Sequence, residues 1–95
     1  MKTQRAFGLS LKELRKDKNI TQEDFSTVSS RTYVSMLERG QKSPTLEKIE
    51  DLSRVLNVHP LSLLCLTYLH KGEHERLEDL FAAVRSDLYR VSPKK

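Results

Sequence analysis

The sequence predicts a small all-α protein. Apolar residues recur three and four positions apart, the period of an α-helix, and no stretch alternates with the period of a strand for long. Glycine is rare, with three in 95 residues, so few positions call for a turn inside a segment. Polar capping residues stand where the periodic stretches begin, and Asn, Gly or Pro stand where they stop. A chain of this length fits one domain, and its core is small relative to its surface, so a second copy would help to cover it.

The first helix is expected from near Thr3 to Lys18. Phe7, Leu11 and Leu14 share one face, with Arg5, Lys12, Arg15 and Lys16 around the rest, and Asn19 ends it. Thr21 is an N-cap residue and Asp24 three positions on makes a near capping box, so a short second helix follows at about Gln22 to Thr27. Val28-Ser29-Ser30 then reads as a turn with two N-cap candidates. A third helix is expected over Arg31 to Arg39, with Gly40 at the position after its end. Gln41 to Pro44 is a loop. Thr45 caps a fourth helix whose buried stripe is Leu46, Ile49, Leu52 and Leu56, closed by Asn57-Val58-His59. His59 reads as a cap, and Pro60 opens a fifth helix at a position where its missing N–H costs nothing. That helix ends near His70-Lys71-Gly72. Glu73 to Val91 is a sixth helix, and Ser92-Pro93-Lys94-Lys95 a loose tail.

Composition narrows the function. Seventeen Lys and Arg against thirteen Asp and Glu give a net charge of +4. The excess sits mainly in residues 1–59, with 11 basic and 8 acidic groups, against 6 and 5 in residues 60–95. A basic balance suits nucleic acid or an anionic surface and is weak support by itself. Cys65 is the lone cysteine, so no intrachain disulfide forms; within Leu61 to Leu66 it reads as a buried thiol. Met1 to Ser10 lacks the apolar run and cleavage site of a signal peptide. The longest apolar stretch, Leu61 to Leu69, is too short to span a bilayer. The expected location is a reducing cytoplasm, with no membrane contact. His70 and His74 are four apart, but Gly72 lies between them and no third ligand is evident, so no metal is expected. No nucleophile–base set and no phosphate-cradling glycine loop occurs, so neither an enzyme nor a cofactor is expected.

The third helix has the character that DNA recognition demands. The major groove is about 12 Å wide and admits one α-helix, which must stand out from the protein body with polar or small side chains facing away. Val34 and Leu37 are three apart and can face inward. Arg31, Thr32, Ser35 and Met36 then lie on the opposite side.

Three strings give this character a family. Thr21-Gln22-Glu23-Asp24-Phe25-Ser26, then Ser35-Met36-Leu37-Glu38-Arg39-Gly40, then Ser43-Pro44-Thr45-Leu46 resemble the phage-repressor/Cro type of helix-turn-helix, the XRE family. Gly8 with Leu11-Lys12-Glu13-Leu14-Arg15 is similar to that family's first helix, and Leu52 with Val55-Leu56-Asn57-Val58 to the end of its fourth. The resemblance covers about residues 5 to 66 and implies a five-helix repressor-like domain, here with an additional C-terminal helix.

The resemblance also implies roles. Gln22 bonds the DNA backbone and braces the recognition helix, which enters the major groove by its N-terminal end. Arg31, Thr32 and Met36 match base-reading positions, with Ser30, Tyr33 and Ser35 close by. Arg39 and Lys42 hold phosphates, which fixes register without reading sequence. Arg15 and Glu38 match an internal salt bridge between the first and third helices. Bland readings stand beside these. Arg31 and Lys42 are also ordinary solvated residues, Met36 is of a type common in cores, and Tyr33 either reaches a phosphate or packs on the second helix. One departure is plain: the family's usual turn is two residues longer and holds a left-handed glycine, whereas Thr27-Val28-Ser29-Ser30 has none, and Ser26 stands where alanine is commoner.

In the last helix, Leu77, Phe81, Val84, Leu88 and Val91 recur at 4, 3, 4 and 3, a two-heptad seam. It either folds back on its own core or pairs with a second copy. The expected organisation is a DNA-binding domain at 1–71, then a C-terminal helix for dimerisation with a short tail at 72–95. The expected function is a repressor-type transcriptional regulator that binds an inverted-repeat operator in double-stranded DNA as a homodimer. Two alternatives use the same residues: an antitoxin that binds DNA and places its last helix on a toxin, and an adaptor that binds only protein.

Overall fold

A computed structural model of the chain describes residues 1–91. Within that span lie α1 (Thr3–Asp17), a 3-10 helix (Gln22–Phe25), α2 (Arg31–Glu38), α3 (Leu46–Leu56), α4 (Pro60–Lys71) and α5 (Leu77–Leu88), with no strand among the described residues. The predicted tail at 92–95 lies outside the described residues.

The apolar spacing dictates the core. Phe7 and Leu11 of α1 meet Phe25, Val34 and Leu37 from the next two elements, Ile49, Leu52 and Leu56 of α3, and Leu63 of α4. Full burial of such side chains contributes about 1.5–3 kcal/mol each, so this cluster holds the first four α-helices and the 3-10 helix together. α1 lies along α4 and also contacts α2. Hydroxyls buried between these helices donate within their own helix: Ser10 to the Ala6 carbonyl at 2.9 Å and Thr67 to the Leu63 carbonyl at 2.7 Å. They therefore cost little in lost hydration.

The expected stops hold. Asn19, Gly40, Asn57 and Gly72 all take positive φ, and they are the residues of positive φ among those described. The expected caps hold as well. Thr21 and Asp24 exchange both bonds of a capping box, and the Thr45 hydroxyl accepts from the Lys48 N–H. The His59 Nδ1 accepts from the Leu61 N–H at 3.0 Å.

Five details differ from expectation. The second helix is a 3-10 turn of four residues, because the capping box and the short run to Ser26 favour the tighter i→i+3 bonds. Leu46, expected in the buried stripe, is 72% exposed. It occupies the first turn of α3, which extends past the packed body, and Ser53 is buried on that face instead. Cys65 is half-buried rather than buried, because it opens onto a groove beside α5. The last helix begins at Leu77 rather than Glu73, where apolar residues first give it something to pack. Val91, expected in the seam, lies in a turn past the helix end and is largely exposed.

Candidate nucleic-acid interface

α2 is short and fixed at both ends. The Ser30 hydroxyl accepts from the Tyr33 N–H at 3.1 Å, which satisfies one of the donors orphaned at the helix start. Gly40, at φ 73, turns the chain out after Arg39. Val34 and Leu37 are fully buried beneath the helix. At 3.6 residues per turn, Arg31, Ser35, Arg39, Thr32 and Met36 fan over about 140° of the opposite face. Gln22, Arg31, Thr32, Ser35 and Arg39 line one shallow depression there. Ser30, Tyr33, Met36 and Lys42 are not among its lining residues. Ser30 is occupied as the cap, Met36 is half-buried at the edge of the arc, and Lys42 is exposed in the following loop.

Beneath this face is a bonded brace. The Arg15 guanidinium grips the Glu38 carboxylate through two bonds, Nε to Oε2 at 2.6 Å and Nη2 to Oε1 at 3.0 Å. Its Nη1 also donates to the Ile20 carbonyl at 3.1 Å. The Gln22 amide donates to Glu38 Oε1 at 3.1 Å, which ties the 3-10 helix to the same carboxylate. The bond to Glu38 raises the Arg15 pKa above its ordinary value; burial works against the shift and the carboxylate's charge adds to it. The Arg15 and Glu38 side chains are 13% and 4% exposed, so the pair is dry enough to be strong and specific in geometry. Arg31 is held differently. Among the described residues its one partner in charge is Glu23 at 3.9 Å, with both side chains about two-thirds exposed, so it is available to a ligand at little cost.

The glycine-free turn has its own support. No residue from Ser26 to Ser30 takes positive φ. The Val28 and Ser29 N–H groups both donate to the Phe25 carbonyl at 2.9 Å. Lys48 reaches from α3 to donate to the Val28 carbonyl at 2.5 Å, and its ammonium also stands 5.8 Å from the centre of the Tyr33 ring. Tyr33 is half-buried, with part of its ring packed against the core. Lys48 was not singled out in the sequence. It sits twenty positions from the carbonyl it holds, and nothing in the apolar stripe of α3 marks it.

α1 flanks the far end of α2. The Gln4 amide donates to the Ser43 hydroxyl at 2.6 Å, and the Arg5 main chain lies against Gly40. Arg5, Lys12 and Arg39 border one depression there, which extends the basic surface beyond Arg39. Gly8 permits this approach. A Cβ at that position would lie 2.3 Å from the Leu37 carbonyl oxygen and 2.7 Å from that of Glu38.

His70 Nε2 lies 2.6 Å from Glu13 Oε1, and no group of ligand side chains gathers among the described residues.

A bonded platform that holds one short helix outward is the geometry of a helix-turn-helix, and a helix-turn-helix family matches residues 11–63, more than half of the chain. The chain belongs to that family, in its XRE type. Control protein C.BamHI of Bacillus amyloliquefaciens is 36% identical over 73 residues, which is 74% of this chain and 90% of the relative. An uncharacterized HTH-type transcriptional regulator, y4dJ of Sinorhizobium fredii, is 33% identical over 69 residues, covering 70% and 90%. Among solved structures, the restriction-modification controller protein C.AhdI of Aeromonas hydrophila superposes with a TM-score of 0.60 at 35% identity, covering 63% of this chain and 94% of its own. These relatives are matched nearly end to end, yet each leaves more than a quarter of this XRE-type chain unmatched. No helix among the described residues is long and apolar enough to cross a membrane.

Proposed function

We propose that the chain is a cytoplasmic transcriptional regulator of repressor type, which binds an inverted-repeat operator in double-stranded DNA as a homodimer. One observation carries the reading: the outward arc of α2 gathers Gln22, Arg31, Thr32, Ser35 and Arg39 in one depression, while its inner end is clamped by Arg15 and Glu38. Arg31 reads guanine with two bonds, Thr32 and Met36 meet thymine methyls, and Ser35 lies beside them. Ser30, Tyr33, Gln22, Arg39 and Lys42 face the backbone, where contacts fix register. Residues 1–71 supply this surface. Residues 72–95 supply the pairing through Leu77, Phe81, Val84 and Leu88, with Val91 beyond the helix end. Pairing places two reading helices on half-sites a helical turn apart. Repression follows from occupation of promoter DNA.

Similarity to a protein named for control of restriction-modification supports a regulator of neighbouring genes as the reading to test first. Footprinting the purified chain on DNA from beside its own gene should protect two half-sites of related sequence. Protection of a single half-site removes the inverted repeat, and no protection at low salt removes DNA binding. Leu88→Glu should sediment as a monomer while the native chain sediments as a dimer; an unchanged mass removes the seam.

A further inference from the structure

α5 is incomplete as the chain stands. It has twelve residues and none of them is buried. A helix this short is marginal in water without packing. Its apolar residues are turned to one side yet remain open: Leu77 is 40% exposed, Phe81 49%, Val84 45% and Leu88 50%. Three of them form one wall of an apolar groove whose other wall is Leu61, Cys65 and Leu69 of α4. Such a trough fits an apolar helix.

The charges beside the seam say which helix. Glu78 and Arg85 are seven residues apart and occupy the same flank, each just after a seam residue. In an antiparallel pair related by a two-fold axis, Leu77 faces the partner's Leu88 and Phe81 faces the partner's Val84. That register brings Glu78 beside the partner's Arg85, and the symmetry makes the pair twice. In a parallel pair the flank next to Arg85 is the partner's Leu80, and no opposite charges meet. Among the described residues of its own chain Glu78 pairs only with Arg76, at 3.5 Å and well exposed, a contact of little worth. Arg85 has no ion pair among the described residues.

We infer that α5 pairs antiparallel with α5 of a second copy, each helix lying in the α4–α5 groove of the other, with Glu78 and Arg85 setting direction and register. This rests on the homodimer reading above.

A charge-swap cycle read by sedimentation tests it. Glu78→Lys and Arg85→Glu should each raise the dimer dissociation constant about ten-fold, since two attractive pairs become repulsive. The double variant should return to within about three-fold of the native chain, a recovery that only a direct pairing of the two sites produces. Glu78→Lys also removes an acidic group from the first helical turn. Asp79→Lys makes the same change on the outer face and should leave the constant within about two-fold. A double variant no better than the two single losses combined overturns the pairing. In a Cys65→Ala background, Leu88→Cys should resist disulfide formation between copies, because position 88 faces position 77; rapid formation means a parallel pair and overturns the register. A native chain that stays monomeric at every concentration overturns the homodimer reading itself, whereas a dimer indifferent to the swap leaves that reading standing and removes only the antiparallel arrangement.

Discussion

Phe25 and Phe81 are the same residue type, and each belongs to the apolar side of a short helix. Phe25 is fully buried in the core beside α2, whereas Phe81 is 49% exposed on α5. The contrast extends to the elements around them. From Ala6 to Leu63 the chain closes a core with its own residues, and the polar groups at its centre are bonded. On α5 no residue reaches the interior. The part that presents the candidate DNA surface is therefore finished within one chain, whereas α5 keeps an open apolar side.

Substitutions at matched positions should widen or erase this contrast. Phe25→Ala should cost about 3–5 kcal/mol of unfolding free energy, the usual penalty for emptying a buried aromatic site. Phe81→Ala in dilute solution should cost less than about 1 kcal/mol, because half its surface is already wet. Equal losses in urea titrations of the two variants would mean that α5 belongs to the same packed unit. Next in size is Glu38→Ala, which strands the Arg15 guanidinium. Breaking a buried pair from one side costs about 3–5 kcal/mol, and Arg15 keeps the Ile20 carbonyl, so the lower figure is expected in thermal unfolding. Smaller effects test the surface rather than the fold. Arg31→Ala should leave stability unchanged and relax preference at one base pair, worth about 1–3 kcal/mol of discrimination in binding to a panel of operator variants. Lys42→Ala should weaken all sequences alike and lower the salt slope of binding by about one; a change in sequence preference would show that Lys42 touches a base.

The sequence disclosed most where the cause is local. Thr21, Ser30 and Thr45 cap because a short side chain can reach an amide three residues on, and Gly40 stops α2 because of its own backbone freedom. The pairing of Arg15 with Glu38 spans 23 residues and was legible only through the family resemblance. Where the cause is distant and unmarked, the sequence was mute. Lys48 holds the Val28 carbonyl, and Gln4 holds Ser43 from 39 positions away. Periodicity also tells which face a residue joins and not what lies above it. Leu46 sits on the right stripe at a level the core does not reach, and Cys65 sits on an apolar helix whose outer side is a groove. The turn illustrates a third limit. The absence of glycine indicated a different path, but two amides sharing the Phe25 carbonyl, steadied by a lysine from α3, cannot be read from four residues.

Gly8 bears on how damage to this protein would present in a genetic screen. The position makes no hydrogen bond by side chain, carries no charge and lies away from the reading face, so a catalogue of contacts passes over it. Its contribution is an absence: the main chain of α1 lies where any side-chain carbon would collide with the last carbonyls of α2. Replacement by alanine must unseat α2 by a fraction of an ångström without altering one residue on it. A mutant at position 8 would then resemble a loss of recognition in its phenotype while its recognition residues remained intact. Compensating changes should arise in the seating between α1 and α2, and no altered operator should rescue it.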